Sequence, residues 1–200
     1  GAYLSFAKAS GNSLIVKPAG KQGYYLSKTQ EEIIKREEII QKEDFKEKKE
    51  RDKEKILYPM LSNWLKTQGY RAKDTSQSKS LGKWSNPDVS GIKISDFLGT
   101  QELEITTIEA KISIEQWEYN IFEAISHRRF ANRVYFAFAH PYSLVNSLPT
   151  SLRYYCELYN IGLLLVTMED DLYDKYLNGK ISSLTSDDDF DITEYFSAPY

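Results

Sequence analysis

Three ionisable residues stand out in the stretch NPDVSGIKISDFLGTQELEITTIEAK: Asp88 follows a proline, and Glu109 and Lys111 lie two positions apart. Two carboxylates that converge on one point both stay ionised only if a cation lies between them, and oxygen ligands with retained waters suit Mg²⁺ or Mn²⁺. A lysine beside such a site can orient or deprotonate a water and stabilise charge that develops on a phosphate. These residue types therefore indicate metal-assisted cleavage of a phosphodiester.

A β-strand is predicted to carry two of these residues, because QELEITTIEAKIS is rich in β-branched residues that alternate with polar ones. A period of two places Ile108, Ala110 and Ile112 on one face and Glu109 and Lys111 on the other. Two charged side chains would then lie side by side on a strand whose opposite face packs into a core.

The alternation slips at Thr106-Thr107, which predicts either a β-bulge there or an N-terminal half buried on both faces. Asp88 lies at the end of a preceding strand or turn, and an antiparallel neighbour would bring its carboxylate beside Glu109. A simpler interpretation stays open: Glu109 and Lys111 form a salt bridge on a half-exposed strand, and Pro87-Asp88 is a plain turn.

Pro87-Asp88 followed by Glu109-Ala110-Lys111 resembles the PD-(D/E)xK motif of the restriction-endonuclease-like nuclease superfamily. The predicted order of elements over residues 56–168 also resembles that family's core. The resemblance implies that Asp88 and Glu109 ligate Mg²⁺, with the Ala110 carbonyl as a further ligand, while Lys111 positions the attacking water.

The same resemblance adds Gln116 to the catalytic residues and gives Glu54 and Asn120 accessory roles. Glu54 matches the acid that the family often carries on its first core helix, and Gln116 resembles a glutamine that some members place after the motif strand. Asn120 stands where a tyrosine can follow four residues later, which is a departure from the pattern.

The helix after the motif strand carries one polar stripe, formed by Gln116, Asn120, Glu123 and His127. Three arginines near its end are candidates for contacts with nucleic-acid phosphates, namely Arg128, Arg129 and Arg133. A solvated basic helix end is an equally good interpretation of the arginines.

Three regions are predicted along the chain. Residues 1–27 read as a β-hairpin that resembles the wing of a truncated winged-helix DNA-binding domain, and a start at Gly-Ala rather than Met is expected of a fragment. Residues 28–55 form a charged helical linker, which is either a solvated spacer or a dimerising helix that would make a homodimer. Residues 56–200 form the nuclease-like domain.

The predicted fold class is α/β (α+β), a restriction-endonuclease-like core in which helices flank a mixed central sheet. A β-hairpin and a long charged helix precede it. From residue 56 the predicted order is α-β-β-β-α-β-α-β, and the chain from Glu169 onward is an acidic tail.

Composition excludes several classes of protein. The net charge of -3 argues against a global basic field, although one basic cleft can lie within an acidic total. One cysteine excludes a disulfide framework, and Cys156 is predicted to be a core residue rather than a nucleophile. Two histidines, His127 and His140, are too few for a histidine-rich metal site. No apolar run has the length of a membrane span and the start lacks the features of a signal peptide, so a cytoplasmic setting is expected.

The leading hypothesis is a Mg²⁺- or Mn²⁺-dependent DNA endonuclease of restriction or repair type. A catalytically silent DNA-binding or regulatory protein that keeps the fold is the alternative, although the presence of all three motif residues argues against it. A third hypothesis is an interaction protein that uses the charged helix as a dimerising arm.

Overall fold

The structure, a computed structural model, describes residues 15–16, 25–26, 39, 45, 48–77, 86–185 and 190–199. The chain divides into two compact units, Gly1–Lys49 and Glu50–Tyr200, and each is described by itself. The predicted linker, residues 28–55, therefore spans the division between the two units.

The first unit contains a small antiparallel ladder. Strand β1 (Ile15–Val16) pairs with β2 (Tyr25–Leu26), and both strands lie within the predicted hairpin. Residues 39, 45, 48 and 49 of this unit are helical, and the side chains of Ile39 and Phe45 are exposed. Residues 50–54, which are also helical, belong to the second unit. The other residues of the predicted hairpin and linker lie outside the described part of the chain. The winged-helix and dimer predictions thus stay predictions.

The second unit is built on a six-stranded mixed sheet in the order β3-β4-β5-β6-β7-β8. Its strands are β3 (Arg71–Asp74), β4 (Val89–Phe97), β5 (Thr100–Lys111), β6 (Arg133–Pro141), β7 (Gly162–Met168) and β8 (Phe190–Phe196). The pairs β3–β4, β4–β5 and β7–β8 are antiparallel, whereas β5–β6 and β6–β7 are parallel.

Four α-helices connect the strands: α1 (Tyr58–Thr67), α2 (Trp117–Ser126), α3 (Thr150–Tyr159) and α4 (Asp170–Leu177). Two 3₁₀ segments, His127–Arg129 and Tyr142–Ser147, flank β6. A parallel connection needs a long crossover, and α2 and α3 supply it on either side of β6.

Each face of the sheet has its own apolar core. On the first face Ile108 and Ala110 pack with α1 and with Tyr176 of α4. On the second face, Phe136 and Phe138 pack with α2 and α3. The predicted α/β class and a mixed sheet between helices are therefore confirmed, and so is the placement of Ile108 and Ala110 against a core.

Two elements that the sequence did not predict, α4 and β8, lie in the region taken as an acidic tail. Their acids face solvent, while Leu172 and Tyr176 of α4 and Ile192 of β8 join the first core. Both elements are amphipathic, and the high content of Asp and Glu masked their apolar faces.

The N-terminal half of β5 has neither the bulge nor the two buried faces that its slipped alternation predicted. The β4–β5 ladder runs in one register from Val89–Ile108 to Phe97–Thr100, without a bulge. Leu103 is 55% exposed, so this half is not buried on both faces either. Ile92 and Ile94 of the paired strand β4 are exposed as well, so the apolar side chains of this hairpin are not all part of a core.

Gly162, the first residue of β7, is required by a close approach of neighbouring groups. A Cβ atom there would lie 2.4 Å from the Tyr135 ring and 2.6 Å from the Ala198 backbone nitrogen. We expect Gly162→Ala to lower the free energy of unfolding by about 2 kcal/mol, because the backbone itself must shift. Urea unfolding measures the change. Gly91→Ala is the control, because Gly91 has an ordinary φ and a Cβ there would lie 3.1 Å from its nearest neighbour, the Cβ of Tyr70. A smaller loss at Gly162 than at Gly91 would contradict the crowding.

Candidate functional site at the end of strand β5

The charged cluster forms where β4 begins and β5 ends. The antiparallel register pairs Val89 with Ile108. One step further along the same register, Asp88 stands opposite Glu109. The expected antiparallel neighbour is thus present, and the two carboxylates interact electrostatically.

Asp88 is held from two directions. Its Oδ1 accepts a hydrogen bond of 2.6 Å from the hydroxyl of Tyr58, the first residue of α1. Its Oδ2 accepts a bond of 2.8 Å from the backbone amide of Ala110. Helix α1 and the motif strand together therefore fix the orientation of this buried carboxylate.

Lys111 lies at the centre of a group of carboxylates. Its Nζ donates hydrogen bonds to Oε2 of Glu123 at 2.6 Å and to Oε1 of Glu109 at 2.9 Å. Oε1 of Glu54 lies 3.9 Å from the same Nζ. Since the Lys111 side chain is only 14% exposed, these carboxylates replace most of its hydration.

The helical segment 48–54 brings Glu54 to this group, and α4 anchors that segment. The Lys53 ammonium donates to the Leu177 carbonyl, and the Tyr176 hydroxyl donates to the Lys53 carbonyl at 3.3 Å. Helix α4 therefore contributes indirectly to the position of Glu54.

Burial makes three acids of the cluster difficult to ionise, namely Glu54, Asp88 and Glu109. At Glu123, by contrast, the hydrogen bond with Glu109 and the Lys111 charge outweigh burial and hold its pKa below its usual value. Burial raises the pKa of Glu54 to about 7, because it outweighs the favourable charge of Lys111. It also raises the pKa of Asp88, although the Tyr58 hydroxyl and the Ala110 amide favour the carboxylate. Burial and the nearby Asp88 charge hold the pKa of Glu109 well above its usual value. Full ionisation of these acids would therefore place more negative charge in the site than one lysine compensates.

Two further groups respond to the same environment. Burial alone would lower the pKa of the Lys111 ammonium, but Glu109, Glu54 and Glu123 together hold it above its usual value. Burial lowers the pKa of His127 to about 4, so its imidazole is neutral near pH 7. Its Nε2 lies 4.0 Å from Oε2 of Glu109, and this approach is therefore not an ion pair.

The donor set suits a hard divalent cation. Among the residues that the structure describes, no three His, Cys, Asp or Glu side chains are arranged to hold a metal ion. Mg²⁺, however, is usually held by one or two carboxylates and keeps several waters. Asp88 and Glu109, with the Ala110 carbonyl, match that requirement, and a cation between them would relieve the unfavourable ionisation of both carboxyl groups.

Gln116 and Asn120 make no recorded contact with this cluster. Gln116 is exposed, with a φ of 58°, at the N-terminal end of α2. The side-chain amide of Asn120 donates to the Glu115 carbonyl at 3.3 Å. The catalytic role of Gln116 and the accessory role of Asn120 therefore stay predictions, without support from the observed contacts.

The three arginines have contacts of their own. Arg133 pairs through Nε with Glu104 at 2.6 Å and donates to the Ala198 carbonyl at 3.1 Å. The parallel register sets Arg133 beside Thr106, whose parity places it on the face opposite to Glu109. Arg128 donates to the Asn132 carbonyl at 2.5 Å, and Arg129 is exposed beside the Phe130 ring.

Two site residues were missed in the sequence. Glu123 was seen only as part of the polar stripe on α2, where its i, i+4 spacing to His127 places both residues on one side of the helix. Tyr58 was predicted within a core helix, and nothing in its sequence context distinguishes a tyrosine that bonds a carboxylate from one that fills space. Cys156 is buried, as predicted, and burial raises the pKa of its thiol to about 12.

Comparisons of this chain with protein-family models, with curated proteins and with solved structures found no match. The fold and the charged cluster at the end of β5 are thus the basis on which its function is argued.

Within the part of the chain that the structure describes, no helix is both long enough and apolar enough to cross a lipid bilayer.

Proposed function

We propose that this chain is a metal-dependent nuclease that hydrolyses phosphodiester bonds, as a DNA endonuclease of restriction or repair type related to the PD-(D/E)xK superfamily. One observation carries the proposal. Asp88 and Glu109, from neighbouring antiparallel strands, meet beside Lys111 at one end of the sheet. Two carboxylates and a lysine on a rigid sheet provide the charges that this hydrolysis needs.

Asp88 and Glu109 would hold Mg²⁺ or Mn²⁺, with the Ala110 carbonyl as a third oxygen. The bound ion supplies a Lewis acid and lowers the pKa of a coordinated water. Tyr58 holds Asp88 in place through its hydroxyl group. Because this hydrogen bond and the Ala110 amide fix the carboxylate before substrate arrives, little reorganisation is needed during the reaction.

In this proposal Lys111 is a positively charged group. It orients the attacking water and stabilises the negative charge that develops on the phosphate oxygens. Its raised pKa keeps the ammonium protonated near pH 7, which argues against a role as general base. Glu123 is a positioning residue, since its carboxylate holds the ammonium from the α2 side.

The catalytically silent DNA-binding or regulatory protein remains the second candidate. The 2.9 Å contact between Lys111 and Glu109 favours it, because the two charges already neutralise each other in part. A homodimer and a cytoplasmic setting belong to either proposal, and the buried thiol of Cys156 suits a reducing compartment.

Incubation of the full chain with supercoiled plasmid DNA separates the two candidates. We expect nicked and linear products with Mg²⁺ or Mn²⁺ and none with EDTA. Plasmid that stays supercoiled with either metal, in the presence of measurable DNA binding, would support the silent protein instead.

Glu123→Ala is expected to lower kcat about tenfold to a hundredfold with little change in KM, because a displaced lysine loses its alignment with the reacting phosphate. Glu123→Gln keeps an acceptor for the ammonium and should recover part of the rate. Glu118→Ala removes an exposed carboxylate from the same helix and serves as the control. Equal rates for the two alanine variants would exclude the positioning role.

A further inference from the structure

A groove with a volume of about 560 Å³ lies along the edge strand β3. Of the eight described residues that line it, three are cationic and none is acidic. The cations are Lys66 from the last turn of α1 and Arg71 and Lys73 from β3. This local excess of positive charge contrasts with the net charge of -3 for the whole chain.

Two of these cations lie on the face of the sheet that leads to Asp88. The register pairs Arg71 with Ile92 and Lys73 with Ser90, and opposed residues share a face. Ala72, on the other face, packs against the first core. Ser90 follows Asp88 by two residues, a step of roughly 7 Å along a strand. A chain lying across Arg71 and Lys73 would therefore continue to the carboxylates.

This part of the second face is open. Ile92 is 45% exposed and Ile94 65% exposed. Arg71 and Lys73 are exposed, and neither is recorded in an ion pair or hydrogen bond of its side chain with another described residue. Their charges are thus available to an external anion, unlike that of Arg133, which is paired with Glu104.

We propose that the groove along β3 binds the phosphodiester backbone of the nucleic-acid substrate and leads it to the carboxylates at the end of β5. This inference rests on the proposed nuclease function. Arg71 and Lys73 each contact a phosphate, and Lys66 adds a third positive charge at the helix end of the groove. The contacts are to the backbone, so they contribute affinity and orientation rather than sequence specificity.

The double variant Arg71→Gln/Lys73→Gln tests this site in the full chain. The probes are a short fluorescein-labelled DNA duplex and an RNA duplex of the same sequence, titrated in EDTA over a series of salt concentrations. We expect about tenfold weaker binding at low salt and a slope of log K against log salt that falls by about 2, as loss of two phosphate contacts requires. The two probes show which nucleic acid the groove accepts.

Lys175→Gln/Lys180→Gln removes the same charge from two exposed lysines that do not line the groove and serves as the control. With DNA as cleavage substrate, the groove variant should show a raised KM and an unchanged kcat, because its residues do not touch the reacting atoms. A variant that only disturbed the fold would not lower the slope of log K against log salt.

Equal affinity and equal slope for the groove variant and the wild type would overturn the inference. Unchanged nucleic-acid binding by the groove variant, together with self-association of that variant on size exclusion, would also overturn the inference. The cations would then serve only to keep the edge strand β3 from pairing with another chain. Salt-dependent binding of nucleic acid by the wild type without cleavage would refute the nuclease proposal, but the groove would still be supported as a binding site. Cleavage with an unchanged KM in the groove variant would refute the groove alone, and a wild type that neither binds nor cleaves would refute both.

Discussion

Lys111→Met is expected to lower the rate of Mg²⁺-dependent DNA cleavage about a thousandfold, the effect of removing one preorganised group that stabilises transition-state charge. Among the described residues, this ammonium is the cation that contacts Glu54, Glu109 and Glu123. Methionine retains the length and apolar character of the side chain but carries no charge. Single-turnover cleavage of plasmid DNA measures the loss.

The control for this variant is Lys175→Met, at an exposed lysine on α4. Loss of the Lys111 charge also leaves its carboxylates without compensation, so urea unfolding must show that the variant is folded under the assay conditions. A folded Lys111→Met chain that cleaves at the wild-type rate would rule out the proposed role of the lysine.

Glu54→Gln is expected to change how stability depends on pH. The pKa of Glu54 is about 7 in the folded chain, compared with an ordinary value of 4.5. Between these values the folded chain keeps the proton and the unfolded chain releases it, so a rise in pH through this window lowers the free energy of unfolding. The shift corresponds to about 3 kcal/mol. Relative to the wild type, the variant should therefore gain about that amount between about pH 5 and about pH 8.

His127 contributes with the opposite sign, because its pKa falls to about 4 in the folded chain from an ordinary value of 6.5. The unfolded chain binds the extra proton within that window, so this histidine stabilises the fold as pH rises from about 4 to about 6.5. Only the difference between wild type and Glu54→Gln isolates Glu54. Urea unfolding in EDTA measures it, with the exposed Glu118→Gln as control. Parallel pH profiles for wild type and Glu54→Gln would contradict the burial of this carboxyl group.

The faces of the motif strand β5 could be predicted from the sequence. Alternation alone placed Ile108 and Ala110 against a core and Glu109 and Lys111 on the other face, and the structure has this arrangement. The same rule predicted a bulge or two buried faces for the N-terminal half of this strand, whereas Leu103 is exposed there. Periodicity indicates which face a residue occupies but not whether another element covers that face.

The contacts of Glu123 and Arg133 could not be predicted from the sequence. Both were visible as polar residues in or after one helix. Glu123 was predicted only as part of a polar stripe, and Arg133 as a candidate for contacts with phosphates. Glu123 contacts Lys111, whereas Arg133 pairs with Glu104 on the other face of the sheet. The difference depends on how α2 packs on β5 and β6, and a helical repeat within one segment carries no information about that packing.

The sequence by itself determined the α/β class, the strand that carries Glu109 and Lys111, and the side of that strand on which they lie, because these depend on local periodicity. The tertiary structure decided which groups surround them. Tyr58 bonds to Asp88, Glu54 and Glu123 approach Lys111, and the β3 cations share a face with Ser90. These contacts join residues far apart in the chain, and only the packing of helices and the pairing of strands brings such residues together.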